Sequence, residues 1–176
     1  MPSFYPAPRP FTLGALPSGR LGTAATLKTM KRLSRDGAKD PGVIQVASEL
    51  VKFLPQYDRV AEVSVLHAFV RDSIRYTNDP IDLELVRTPK AILEMGVGDC
   101  DDKSTLLSCL LRCIGRPSRF VAVQLEGLGG YSHVYVETPL GATQGGKPRW
   151  VALETIKPVG VGWCPDNVTR RMVVHV

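Results

Sequence analysis

The chain has 176 residues, 44% of them hydrophobic, and a formal charge of +5, enough chain for one domain to bury a core without disulfide or metal staples. No apolar run approaches the roughly 20 residues of a bilayer span, and "MPSFYPAPRPFTLGALPSGR" lacks a charged start followed by an apolar block, so a soluble chain with no signal peptide and no membrane partner is expected. Cys100, Cys109, Cys113 and Cys164 do not read as a disulfide framework, because the first three crowd into one predicted helix; a reducing compartment is expected.

Residues 1–20 hold Pro2, Pro6, Pro8, Pro10 and Pro17, a composition that predicts an extended arm with neither helix nor sheet ladder. Residues 21–57 read as a basic amphipathic helical leader. In "TAATLKTMKRLSRDG", Leu27, Met30 and Leu33 fall at helical spacing between a Thr23 cap and a Gly37 stop, and Val43, Val46, Ala47, Leu50 and Leu54 repeat the pattern over 42–54. In the first 40 residues Arg9, Arg20, Lys28, Lys31, Arg32, Arg35 and Lys39 face only Asp36 and Asp40, the pattern of a solvated helix face or of contact with an acidic protein surface. Nucleic acid is not the expected partner, since no aromatics are interleaved and no groove-binding motif is present.

Residues 58–176 form the remaining unit. A third helix over 59–75 uses Val60, Val63, Leu66, Val70 and Ile74 and stops at the turn residues of "YTNDP". After "RTPKAILEMGVG" a leucine-rich helix begins near Asp99. Beyond it, "SRFVAVQLE", "SHVYVETP" and "RWVALETI" read as strands between glycine-rich turns, with "RRMVVHV" as a further strand. Helices first and antiparallel strands after imply an α+β fold.

The chemistry concentrates in "GVGDCDDKSTLLSCLLRCIG". With Asp99 as N-cap, Cys100 is the first helical residue and Asp102 the third, a D-x-x-D variant of the capping box. Free backbone N–H groups and the helix dipole there favour a thiolate, while the flanking aspartates oppose it. Leu106, Leu107, Leu110, Leu111 and Ile114 make one buried arc with Cys109 roughly opposite Cys100, so Cys109 and Cys113 read as small core or border residues. A metal clip made by that pair is the alternative; C-x₃-C lacks a second matched pair, and no metal is expected.

A counter-charge for the thiol points to histidine. His67 sits in an amphipathic helix as a structural or surface residue, and His175 lies at the tail. His133 opens a strand after a glycine-rich loop, and Glu154 lies in the next strand. Adjacent antiparallel strands bring such a pair side by side, so a carboxylate can orient an imidazole.

The segments "VRDSIRYTNDP", "TPKAILEMGVGDCDDKSTLLSCLLRCIGRPSRFVAV", "YSHVYVE" and "WVALET" resemble, in order, the transglutaminase-like superfamily of papain-type cysteine enzymes, over residues 59–156. The resemblance implies a papain/transglutaminase-like catalytic core over 58–176, with the cysteine-bearing helix packed on an antiparallel sheet. It also implies acyl transfer at a protein or peptide amide, without a cofactor, by a peptidase, amidase or transglutaminase. It makes Cys100 the nucleophile, His133 the base and acid, and Glu154 the orienting acid. Aspartate is usual at the last position; the longer glutamate needs another strand offset or rotamer, failing which a Cys/His dyad remains. An oxyanion would be met by the Cys100 N–H and by Tyr76 or Asn78, for which core aromatic and turn former are the plainer roles. An activated thiol predicts Cys100 alkylation at lower pH than Cys109 or Cys113. The leader "GTAATLKTMKRLSRDGAKDPGV" further resembles a compact subgroup encoded among structural genes of tailed bacteriophages. That likeness implies host cytoplasm or virion as location and phage structural proteins as partners through the N-terminal arm. It also keeps open a quiescent assembly module built on the same fold.

Overall fold

The computed structural model describes residues 11–12, 20–78 and 85–176. Its helices are α1 (Arg20–Gly37), α2 (Pro41–Val51), α3 (Arg59–Ser73), α4 (Pro89–Met95) and α5 (Cys100–Cys113). Its strands are β1 (Phe11–Thr12), β2 (Arg75–Tyr76), β3 (Leu85–Val86), β4 (Val97–Gly98), β5 (Arg119–Leu125), β6 (His133–Ala142), β7 (Pro148–Leu153) and β8 (Val168–His175). The last four make an antiparallel sheet in the order β7-β6-β5-β8. This is the expected α+β architecture, with the C-terminal tail as the strand beside β5.

Helix α5 lies between two layers. Toward the sheet, its leucines meet Phe120, Ala122, Val134, Val136 and Leu153; toward the helices, the same core takes in Leu27, Met30, Val43, Ala47, Val63, Leu66 and Ile92. Leader and core therefore share one hydrophobic cluster. A helix covered on both sides needs no polar face, and α5 is buried continuously from Asp102 to Leu111, wider than the single arc expected, while Ile114 falls outside it as the C-cap. Its buried polar groups are tied down instead. Ser108 shares hydroxyl hydrogen bonds with Ser34 (3.0 Å) and Ser118 (2.8 Å). The Lys103 ammonium donates to the carbonyls of Arg71 (3.1 Å) and Ile74 (2.7 Å), closing the C-terminal end of α3.

Several local expectations change. Phe11 and Thr12 pair antiparallel with Val86 and Leu85, so the arm does enter a short ladder; residues 1–10 and 13–19 lie outside the described residues. Helix α1 starts at Arg20 rather than after Thr23. Residues 89–95, left without an element by the sequence pattern, form α4: Thr88 accepts from the Ala91 N–H, Pro89 takes the first turn, and Gly96 ends it in the left-handed region at φ 66°. Too short for a clear hydrophobic period, it was marked in the sequence only by its cap, proline and glycine. Among the described residues, no helix is long and apolar enough to cross a membrane.

Candidate active site

The start of α5 is held from three directions. Strand β4 pairs in parallel with β2, setting Gly98 beside Tyr76 and leading the chain into Asp99. Asp99 caps the helix as expected, its carboxylate accepting from the Asp102 N–H at 3.0 Å. The Asp102 carboxylate turns to Arg87: it accepts from that residue's backbone N–H at 2.8 Å and pairs with its guanidinium, both side chains nearly buried. Asp102 thus joins α5 to the β3–α4 junction, a role no local capping pattern reveals. Gly98 makes the approach possible, because a Cβ there would come within 2.7 Å of the Asp102 Cβ.

Cys100 is seated on β6. The ladder between β6 and β7 ends at Val136 and Leu153, so Val134 lies beyond the last paired residue. Its carbonyl accepts from Ser104 Oγ at 3.2 Å, and its N–H donates to the Cys100 sulfur. The thiol thus rests against the residue next to His133. The thiol's own proton points to Asp101 Oδ1, 3.7 Å away. Burial first, then the charges of Asp101 and Asp99, push the Cys100 pKa well above that of an ordinary thiol, against the smaller opposing pull of the Val134 N–H.

His133 and Glu154 meet directly, with 2.6 Å between Nε2 and Oε2. Extending the β6–β7 register, in which Val136 faces Leu153, would set Ile156 opposite His133 and Glu154 opposite Tyr135. Glu154 therefore crosses a diagonal of the ladder, and its extra methylene supplies the reach. Its other oxygen accepts from the Ile156 N–H at 2.7 Å, and the Lys157 N–H adds a further bond. Burial alone would raise the Glu154 pKa; the His133 ring and the two backbone donors outweigh it and hold the carboxyl below its ordinary range. The bond to Glu154 occupies Nε2 of the His133 ring.

Two further residues shape the site without a motif to announce them. His67 is buried among Val63, Leu66 and Val70 on α3, and its Nε2–H donates to the Glu154 carbonyl at 2.5 Å. Burial lowers its pKa, so it is held neutral. The hint lay in its position: a histidine on an apolar helix face must find a polar partner. Lys103, three residues after Cys100, is buried as well; burial lowers its pKa, while Asp72 and Glu154 pull it back up.

Tyr76 is 44% exposed, not a core aromatic, and its hydroxyl donates to Asn78 Oδ1 at 2.8 Å. Both flank the loop that leads into Cys100. Cys109 and Cys113 sit away from the site, the first fully buried, the second half-buried. Their thiols bond to each other, which raises the Cys109 pKa and, aided by Arg112, lowers that of Cys113. Burial and the two aspartates thus push the Cys100 thiol up, whereas the bond from Cys109 pulls the Cys113 thiol down. Among the described residues no group of three or more His, Cys, Asp or Glu side chains could hold a metal ion.

A family model described as the transglutaminase-like superfamily matches residues 46–155, more than half of the chain. Three solved structures share the fold. Calcium-bound LapG of Legionella pneumophila aligns at TM-score 0.56 and 15% identity, covering 81% of this chain and 80% of that one. A candidate protease from Parabacteroides distasonis gives 0.54 and 16%, with 84% and 31% covered. A candidate cysteine protease from Cytophaga hutchinsonii gives 0.51 and 13%, with 77% and 50% covered. The chain thus spans half or less of the latter two. No curated protein matches it by sequence.

Proposed function

The chain belongs to the transglutaminase-like superfamily, and from that premise we propose that it is a cysteine enzyme acting on protein or peptide amides through a thioester on Cys100. The observation that carries this reading is the 2.6 Å pair of His133 and Glu154, set one residue from the backbone N–H that seats the Cys100 sulfur.

Burial and the flanking aspartates hold Cys100 as a neutral thiol at rest rather than as a preformed thiolate. His133 then acts as general base: Nδ1 takes the thiol proton as sulfur attacks the amide carbon, and the Glu154 carboxylate balances the imidazolium. The oxyanion is met by the Cys100 N–H at the helix start and by the Asn78 amide, whose oxygen already accepts from Tyr76. His133 returns its proton to the leaving amine, and the thioester forms. Water, deprotonated by the same imidazole, releases the acid and restores the thiol. Hydrolysis is favoured over cross-linking, in keeping with proteases among the structural neighbours.

The test is a peptide library read by mass spectrometry for cleavage, with a labelled primary amine present to trap transfer. Wild type should generate new C-termini, and Cys100→Ala and His133→Ala should not. Identical product profiles for all three proteins would sink the proposal. A second reading, a quiescent assembly module of a phage particle, is favoured by one observation: the half-buried thiol lies beside two aspartates that oppose its ionisation. It predicts that identical profile, together with retention of a particle partner by Cys100→Ala. The phage origin itself rests on the leader's resemblance alone.

A further inference from the structure

At the opposite end of α5 from Cys100, helices α1, α2 and α5 enclose a bowl of about 540 Å³. Its rim carries Lys28, Lys31, Arg32, Arg35 and Lys39 from α1 and the α1–α2 turn, and Arg112 from the last turn of α5; Asp36 is the one acid that lines it. Ile44 and Cys113 supply an apolar patch in the wall. Lys31 is committed to the His175 carbonyl at 2.7 Å and Lys39 to Asp36 at 3.4 Å. Lys28, Arg35 and Arg112 are all exposed and have no ion-pair partner among the described residues. Along α1, positions 28, 32 and 35 share one face, so cations three and four residues apart repel one another. A folded chain that keeps such repulsion around a concavity is matched by an anionic occupant that relieves it.

We propose that this basic bowl is a docking site for an acidic segment of a partner protein, one bearing several carboxylates and an aliphatic side chain. Nucleic acid fits less well. The lining has no aromatic side chain for a base to stack on, and the cations ring a cavity closed by three helices instead of forming a stripe that tracks a phosphate backbone. Carboxylate side chains enter such a bowl singly, and Ile44 and Cys113 offer an aliphatic residue its contact. The site is independent of the thiol chemistry: the 14-residue α5 separates the two by about 20 Å at 1.5 Å per residue. An occupant here leaves Cys100 open.

Fluorescence anisotropy with a labelled glutamate-rich peptide containing leucines tests this, against the same peptide with glutamine for glutamate and against single- and double-stranded oligonucleotides. Wild type should bind the acidic peptide, more weakly as salt rises. The Arg35→Glu/Arg112→Glu variant should lose at least about tenfold in affinity, because two attractions become repulsions, and Cys100→Ala should bind as wild type does. Arg35→Gln/Arg112→Gln, which only removes charge, should lose less, and circular dichroism checks that each variant is folded. Binding of the acidic peptide no tighter than the glutamine peptide, tighter binding of an oligonucleotide, or a folded charge-reversed variant with unchanged affinity would each overturn the proposal.

Discussion

The two ends of α5 hold two thiols in opposite surroundings. Cys100, at the N-terminal end, has the favourable helix dipole but lies half-buried beside Asp99 and Asp101, and desolvation and those charges drive its pKa up. Cys113, at the C-terminal end, has the unfavourable dipole but takes a hydrogen bond from Cys109 and lies beside Arg112, and its pKa is driven down. At Cys100 desolvation and neighbouring charge outweigh the dipole; at Cys113 the hydrogen bond from Cys109, with Arg112 beside it, outweighs both desolvation and the dipole. Ease of ionisation therefore does not mark the proposed nucleophile; the partner does. Only Cys100 sits against a strand that presents a histidine already held by a carboxylate.

The comparison breaks most sharply on activity. Cys100→Ser or His133→Ala should lower kcat/KM on any peptide the protein cleaves by about 10³-fold or more, while Cys113→Ser should leave it unchanged. Steady-state assay of the purified variants decides, and an inactive Cys113→Ser would reverse the roles assigned to the two ends. Glu154→Gln should cost about 10²- to 10⁴-fold. Glu154→Asp should also lose rate, because the shorter acid no longer spans the diagonal to His133.

The next largest contrast is in stability. Asp102→Ala removes the buried carboxylate that pairs with Arg87 and should cost about 3–5 kcal/mol, whereas Arg112→Ala, exposed at the other end, should stay within about 0.5 kcal/mol. Urea unfolding of the two variants measures both. A smaller effect is expected behind the site: His67→Leu leaves the Glu154 carbonyl without its donor, at about 1–3 kcal/mol, and His67→Gln should restore most of that. The pH dependence has a definite sign. The folded pKa of His67 lies below its ordinary 6.5, so the unfolded chain binds the proton first. Stability should therefore fall as pH drops from 6.5 toward the folded pKa, and His67→Gln should flatten that part of the curve. A slope unchanged by His67→Gln would remove His67 from the account.

The smallest expected effect is on thiol reactivity. In the resting protein iodoacetamide should label Cys113 at lower pH than Cys100, followed by peptide mass spectrometry. Asp101→Asn, which removes the charge nearest the sulfur, should speed Cys100 labelling several-fold while leaving Cys113 alone. Equal rates at both ends in both proteins would show that the two environments do not differ as described.

Much of this was readable from local pattern. The strands around Val121, Val136 and Val151 and the helix that follows Asp99 rest on residues within a few positions of each other, where propensity and capping act, and the order Cys100, His133, Glu154 can be read along the chain. What escaped was non-local. Asp102 looked like half of a capping box because its partner Arg87 is 15 residues away in sequence and joined only through the fold. Buried polar positions such as Lys103, Ser104 and Ser108 made α5 look one-sided, since a sequence cannot show that carbonyls and hydroxyls from other elements will meet them.

By itself, the sequence determined the four longer helices and the four longer strands, though not α4 or the two-residue strands, and which cysteine, histidine and acid stand in an order compatible with acyl chemistry. Those properties follow from short-range sterics, hydrophobic period and side-chain type. Only the tertiary structure decided how the parts meet. It set the register by which Glu154 crosses to His133, turned Val134 toward Cys100 where the β6–β7 ladder ends, and stationed His67 behind the acid. It also made one helix end acidic and half-buried, the other basic and open. These outcomes depend on distances between residues far apart in the chain, which only the packed layers bring within reach of a hydrogen bond or a charge.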